Sequence, residues 1–481
     1  MVFSLALRNT ARNKINNLII IILVAVICFL FFIGNSIIEK SYIGLRQAFI
    51  ESLTGDVVIQ KKGDITMNLF GANAPVIDPF FVVPVLPAFD AIMKIVSSER
   101  GISGITSQVS GNSFLDLLGV RDSALLCGID AQTYFSMFPG IVLEEGRFLH
   151  NGEYGAMITT GRAKRIEELG GSYPQIGESV LLTSGGTLGF KIMDIPLVGI
   201  FSYQNPGLFM NDIIITDPQT VRVLNSIQVA ASQDVELNDD AMLLLSSDID
   251  DIFNIESFSN GHTSEEFSVD VLQSWLAETT QDIYADTTGG DWHFIIINLE
   301  KNVNPKSFIK SMNKKLESYD VVAVDWRTSA GVSTILLLLI QVLFNAGMFL
   351  VCVAGVISVI NILLISVFRR TREIGTLRAI GASDLYVSSL ILCENLILSV
   401  IAGVAGIAAG YLFFNWINSL SFKIPNELIA SLLGGDILNL VFIPKVAFFS
   451  FLLAVALGVI VSIYPIFFTL KIEPVEAVRQ G

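Results

Sequence analysis

Arg369-Arg370-Thr371-Arg372-Glu373-Ile374-Gly375-Thr376-Leu377-Arg378-Ala379-Ile380-Gly381-Ala382-Ser383 is a short basic stretch caught between two long apolar runs. Four arginines and one glutamate in fifteen residues cannot lie in lipid, so the stretch must emerge into water. Its apolar residues Ile374, Leu377 and Ile380 recur every three positions, which gives a short helix one apolar stripe. Arg369 and Glu373 stand at i, i+4 and can pair along that helix. Gly381 suits a helix stop, and Ser383 suits the cap of the next helix. One reading is a charged connector that orients the chain through an excess of cytoplasmic Lys and Arg. The other is a docking surface for a partner. A connector needs charge alone, so the apolar stripe and the glycine stop favour docking.

Outward from this stretch, residues 331–368 form an apolar run that would be ~57 Å long as a helix, nearly twice the ~30 Å hydrocarbon thickness. Its excess reads as a stalk. Residues 385–416 and 446–470 supply two more spans, and 18–38 a first one. Before that first span, Phe3, Leu7 and Ala11 share one helical face and Arg8 and Arg12 another, as in an interfacial helix. The 18–38 run is too long for a signal-peptide core and reads as an uncleaved anchor. Positive charge marks each segment assigned to the cytoplasm: Arg8, Arg12 and Lys14, then the four central arginines, then Lys471 and Arg479. Both termini are therefore expected inside.

The composition agrees. Of 481 residues 52% are hydrophobic, yet the formal net charge is −15. Residues 39–329 hold 19 Lys+Arg and 38 Asp+Glu, a charge of −19, which leaves the apolar remainder at +4. The expected fold class is a membrane α-helical protein (four transmembrane helices) with a large α+β extracytoplasmic domain inserted between helices 1 and 2. Its expected divisions are 1–38 (interfacial helix and first span), 39–329 (outer domain) and 330–481 (three spans and a helix at 369–383). Within the outer domain, two βαβ-like units at 39–110 and 291–329 are expected to pair into one membrane-proximal subdomain. The second is opened by Asn304-Pro305, a firm helix-start signal. A strand-rich distal part covers 111–225, and an acidic insertion about 230–290. From Val223 to Glu300 there are sixteen Asp+Glu and no Lys or Arg. The cluster at 248–251 lacks the glycine and distal glutamate of a calcium loop, so it reads as a solvated acidic face.

Catalytic chemistry is not legible. There is no GxxxxGK[ST] phosphate loop and no Ser/His/Asp or Cys/His grouping. Four Cys, three of them in apolar runs, and three His predict neither a disulfide framework nor a metal site. Four features remain. Glu394, with Asn361, is an intramembrane polar candidate, either functional or a neutral carboxyl hydrogen-bonded through Asn395 or Asn361. Ala402, Gly406 and Gly410 form a close-packing helix face. The proline-rich run 77–87, with Phe80, Phe81, Val83 and Leu86, is either a buried edge strand or an exposed loop for substrate or partner. The fourth is the basic stretch itself.

The segment 372–383, the following Leu392-Cys393-Glu394-Asn395 and the tail Ile472-Glu473-Pro474-Val475-Glu476-Ala477-Val478-Arg479 resemble the FtsX/MacB-like superfamily of ABC transporter permeases. In the soluble part, Gly128-Ile129-Asp130, Leu143-Glu144-Glu145-Gly146-Arg147-Phe148, Ile176-Gly177-Glu178 and Leu197-Val198-Gly199 are similar to the MacB-type periplasmic core. The resemblance does not extend to about 230–290 or to the proline-rich run. It implies a non-catalytic, multi-pass subunit of the cytoplasmic (inner) membrane. Arg369, Arg370, Arg372, Glu373, Ile374, Leu377, Arg378 and Ile380 would couple it to a cytoplasmic ABC ATPase dimer. ATP and Mg would be bound by that partner, with no cofactor in this chain. A second permease subunit, membrane lipid and an extracytoplasmic substrate complete the expected partners, and no nucleic acid is among them. The leading expectation is lipoprotein release toward the outer membrane by a LolC/LolE-type subunit. The alternatives are MacB-like export of a drug, peptide or toxin with an adaptor, and regulation of a cell-wall hydrolase.

Overall fold

The computed structural model describes residues 14–63, 67–69, 71–72, 83–186, 189–204, 210–227, 290–371, 375–376, 378, 380–424, 430 and 439–470, with residues 6 and 8. The chain forms two compact units, Gln47–Gly331 and a second made of Met1–Arg46 with Val332–Gly481. Helix α1 (Lys14–Phe49) passes into a π-helical turn at Ile50–Thr54, followed by β1 (Val57–Lys61), β2 (Met67–Asn68), β3 (Gly71–Ala72) and α2 (Phe89–Ser97). Next come β4 (Ile102–Leu117), β5 (Val120–Ile129), α3 (Ala131–Met137), β6 (Ile141–Gly146), β7 (Ala156–Thr159) and α4 (Thr160–Gly170). Then follow β8 (Ser179–Gly186), β9 (Gly189–Tyr203), β10 (Ile213–Thr216), α5 (Pro218–Leu224), β11 (Phe294–Leu299), α6 (Pro305–Lys315), β12 (Val321–Asp325) and α7 (Trp326–Ser329). Three long helices end the described chain: α8 (Val332–Arg369), α9 (Asp384–Ser419) and α10 (Pro444–Leu470).

In the first unit one ten-stranded sheet runs β12-β1-β11-β4-β5-β10-β7-β9-β6, with β8 paired to β4 and β9. Strands β1 and β4 both lie antiparallel to β11, which separates them, and β12 closes the edge beside β1. The units β1-α2-β4 and β11-α6-β12 thus interleave in one sheet although some two hundred residues of sequence part them. Local chemistry explains α6. The Asn304 side chain accepts from Lys306 N at 3.0 Å, and Pro305 sits where its missing N–H is not needed. Phe308, Met312 and Leu316 then fall inward. Asn313 ties the helix to β12, accepting from Ala323 N at 2.7 Å and donating to Ala323 O at 3.0 Å.

The structure corrects the expected subdomain limit at residue 110. Strand β4 is unbroken for 16 residues and pairs with β5 down to Leu117↔Val120. One end of β4 lies with the core of Val57, Ile59, Ile92, Val96 and Ile297, and the other supplies Val109 and Leu115 to the core of Leu126, Val180 and Ile214. The expected end of the first span at 38 is corrected too. Leu45, Ala48 and Phe49 keep an i, i+3, i+4 apolar face buried past the charged Glu39 and Lys40, so the helix continues.

Part of the proline-rich run also changes role. Val83 and Leu86 are 7% and 3% exposed. The Leu86 amide donates to Trp292 O at 2.7 Å, and its side chain joins the core beside Ile92 and Ile297. These two are core residues and not loop contacts for a substrate. Phe80 and Phe81, and the acidic insertion expected at about 230–290 up to residue 289, lie outside the described residues.

The second unit holds helices long and apolar enough to cross a membrane at Ser333–Arg369, Asp384–Ser419 and Pro444–Leu470, and most of a fourth that runs from Lys14 to Thr54. A Cβ on Gly406 would stand 2.6 Å from Ala25 O, and one on Gly410 2.5 Å from the Phe32 ring, so these glycines let α9 approach α1 closely. Ala402 on the same face is fully buried. Cys28 Sγ reaches the carbonyls of Gly403 at 3.6 Å and Ser450 at 3.5 Å, joining α1, α9 and α10.

Two outcomes are expected from the first unit. Leu86→Asp should destabilise the purified full chain by about 3 kcal/mol or more, for a buried charge without a partner, and lower its thermal midpoint sharply. Phe190→Asp, at a position 81% exposed, should leave the stability within about 0.5 kcal/mol. The second concerns pH. Burial, reinforced by the Arg222 charge, pushes His293 from 6.5 down to about 4. The folded ring stays neutral where the unfolded chain binds a proton, so stability should fall as pH drops from about 6.5 to about 4, by about 3 kcal/mol in all. Tryptophan-fluorescence melts should show that loss in the native chain and a flatter profile in His293→Gln.

Candidate functional site

The basic stretch follows directly on α8, and its described residues are held at three points. Arg370, the first residue past α8, meets Glu394 with Nη1–Oε2 at 2.9 Å and Nη2–Oε1 at 3.3 Å, a two-pronged pairing. Arg378 Nη2 pairs with Asp384 Oδ1 at 3.0 Å, and its Nη1 donates to Leu470 O at 3.3 Å. Leu470 is the last residue of α10, where carbonyls lack helical partners and the helix dipole favours a cation. Phe368 and Phe468 meet edge-to-face, centroids 5.0 Å apart, so the ends of α8 and α10 are level.

The turn into α9 follows from local sequence. Gly381 takes φ +103, a conformation in which a side chain is strained, and its amide donates to Arg378 O at 3.0 Å. Ser383 Oγ accepts from Tyr386 N at 3.3 Å as the cap of α9, and Asp384 begins the helix at its positive end. Glu394 is ten residues further on, roughly 15 Å along the axis. Since Arg370 reaches it, Glu394 lies level with the end of α8, and the opening turns of α9 run past that level.

The structure gives Glu394 a partner that neither sequence reading named. Glu394 is ion-paired, with side-chain exposures of 21% for Arg370 and 16% for Glu394. Asn395 turns instead to Ser462 Oγ at 2.9 Å, and Asn361 is on the exposed side of α8. Arg369 is exposed, Ile380 is 86% exposed and Leu385 83%. Arg372, Glu373, Ile374 and Leu377 lie outside the described residues. The pairing of Arg370 with Glu394 and the capping of Leu470 by Arg378 were missed from sequence. The available signal was an arginine just past one apolar run and a carboxylate a few turns into the next.

In the first unit, the stretch 143–148 leads to a cleft of ≈ 360 Å³ lined by Gly146, Arg147, Glu153, Ile176, Gly177 and Val198, among others. Arg147 pairs with Glu153 there, and that hydrogen bond chiefly pulls the Glu153 carboxyl down to about 2. Arg162 is fully buried between Asp122 and Asp212, with its guanidinium held by Ser123 O at 2.8 Å and Asp212 O at 2.9 Å. These groups brace the sheet. Among the described residues no cluster of His, Cys, Asp and Glu has the grouping of a metal site.

Removing one member of the Arg370–Glu394 pair should cost more than replacing both. Arg370→Met and Glu394→Gln are each expected to destabilise the second unit by about 2–4 kcal/mol, and the double variant by less than their sum. A double-mutant cycle on melts in detergent, showing a coupling of at least ~1 kcal/mol, checks this.

Residues 345–474 match the family described as FtsX-like permease C-terminal. The chain is 28% identical over 170 residues to an uncharacterized ABC transporter permease, YknZ, of Bacillus subtilis, covering 34% of this chain and 37% of that protein. It is 33% identical over 127 residues to the macrolide export ATP-binding/permease protein MacB of Bdellovibrio bacteriovorus, covering 26% of this chain and 17% of that one. The chain therefore spans well under half the length of these relatives. Among solved structures, the periplasmic region of MacB from Actinobacillus actinomycetemcomitans aligns with TM-score 0.30 and 13% identity, over 58% of this chain and 92% of that one. The extracellular domain of the YknZ transporter from Gram-positive bacteria aligns with TM-score 0.29 and 10% identity, over 56% and 99%. The part of the chain that takes in the Arg370–Glu394–Arg378 corner is thus similar to the FtsX-like permease C-terminal family, and the matched stretches are similar to those of ABC transporter permeases.

Proposed function

We propose that this chain is the membrane subunit through which a separate cytoplasmic ABC ATPase dimer moves an extracytoplasmic domain, and that the cargo is a lipoprotein released toward the outer membrane. The observation that carries the first half is the corner at 369–394. Arg370 and Arg378 clamp the basic stretch onto α9 and the end of α10, while Arg369, Ile380 and Leu385 face outward. A push on the exposed side is passed directly to two helices, because the clamped side cannot slide without breaking partly buried ion pairs. The ATPase dimer binds ATP and Mg, and this chain adds no cofactor. A second permease copy or paralogue completes a twofold assembly, with both termini and the basic stretch in the cytoplasm and the α/β domain outside.

The lipoprotein reading draws support from an apolar sheet face. Phe114, Thr183 and Ile192 form one cross-strand row on β4, β8 and β9, with Phe190 beside it opposite Gly185. Phe114, Ile192 and Phe190 are 62%, 65% and 81% exposed, an unusual concentration for a domain in water. Such a face suits an acyl chain or an apolar partner protein. The second reading, MacB-like export of a small molecule or peptide with an adaptor, has the relatives named for macrolide export in its favour.

Ile380→Asp should reduce co-purification of the ATPase at least tenfold, or leave binding intact and abolish substrate-stimulated hydrolysis, while the α/β domain melts normally. Wild-type hydrolysis and complementation would overturn the docking role. Depletion of the chain should strand lipoproteins in the cytoplasmic membrane, scored by fractionation. Normal sorting combined with sensitivity to exported compounds would decide for the second reading.

A further inference from the structure

We propose that the cleft among α1, α8 and α10 is a binding site for one zwitterionic glycerophospholipid of the surrounding bilayer, held by its headgroup at the Glu39–Lys445 ion pair. The cleft has a volume of ≈ 480 Å³, within the ~300–1,000 Å³ of small-ligand sites. Its lining changes character along its length. Glu39 on α1 and Lys445 on α10 meet at 3.1 Å at one end, and Gln341, Asn35 and Asn345 also line the cleft, with the Asn35 amide donating to Phe31 O at 3.1 Å. Phe31, Leu452, Leu453 and Ala456 line the rest.

The order follows from the helix directions. A Cβ on Gly34 would touch the Phe344 ring, so residues 34 and 344 are level, and Gln341 lies toward Glu39 while Asn345 lies just to the other side. From Lys445 to Ala456 α10 descends roughly 16 Å. The site is therefore polar at one end and apolar at the other, the profile of a lipid and not of a soluble metabolite.

Charge selects the headgroup. One carboxylate and one ammonium face the same opening, so a net anionic headgroup would satisfy Lys445 and confront Glu39, and a cationic one the reverse. A headgroup carrying both a phosphate and an amine offers each its partner. A second copy of the chain is the competing occupant, and the test below separates the two. The proposal holds whatever the chain transports and does not depend on an ATPase.

The test uses the full chain, extracted in mild detergent and exchanged into discs of equimolar phosphatidylethanolamine and phosphatidylglycerol. Native mass spectrometry and lipid extraction should then find about one phosphatidylethanolamine retained per chain, preferred at least tenfold. Leu453→Trp, which fills the apolar half, should cut retention at least fivefold. Glu39→Gln keeps size and shape and should abolish the preference, with retained phosphatidylglycerol rising, so the readout survives if the tryptophan variant misfolds. Equal retention of the two lipids by the native chain, no retained lipid, or a disulfide between two copies through Asn345→Cys would each overturn the proposal.

Discussion

Arg370 and Glu394 are bound to each other where neither is well served by water, and the arrangement of the membrane helices depends on that pair. Taking two such charges out of solvent is expensive, and only a close, two-pronged geometry returns enough to hold them there. Once formed, the pair sets how far α9 projects relative to α8, because Arg370 has no freedom beyond the length of its own side chain. Arg378 does the same for α10 through the last helical carbonyl. The described ends of the basic stretch are thereby tied to two helices.

Elsewhere in the helical unit the adhesion has a different origin. Lipid tails are as apolar as leucine, so greasy side chains gain little by leaving them for each other. What remains is close approach, at Gly406 and Gly410 against α1, and a few shared polar contacts such as Asn395 with Ser462. Exposed apolar side chains along α8, Leu338, Leu339, Val342 and Leu343 among them, match an element that faces lipid or another chain.

The α/β unit is stabilised as a water-exposed domain would be, by buried area and paired charges. Strand β4 is common to both of its cores, so displacing one end strains the hydrogen-bonded ladder that reaches the other. The buried Arg162, held by two carboxylates and two carbonyls, fixes α4 against β5 and the turn before β10 in one geometry. A domain built this way resists local deformation.

Local signals make much of this legible in the sequence. Apolar runs long enough to cross a bilayer, the charge contrast between 39–329 and the rest, the Asn304-Pro305 helix start, the Gly381 stop and the Ser383 cap all act within a few residues, so composition and spacing suffice to read them. The basic stretch between two spans was visible for the same reason. What only the tertiary structure decided are the long-range contacts. It placed Val83 and Leu86 in a core, carried β4 through residue 110, and gave Glu394 to Arg370 in place of a neighbouring asparagine. An i, i+4 pair is set by helix geometry, whereas a partner 24 residues away is set by how deeply one helix sits beside another. That depth is a property of the packed bundle and is written in no single segment of the chain.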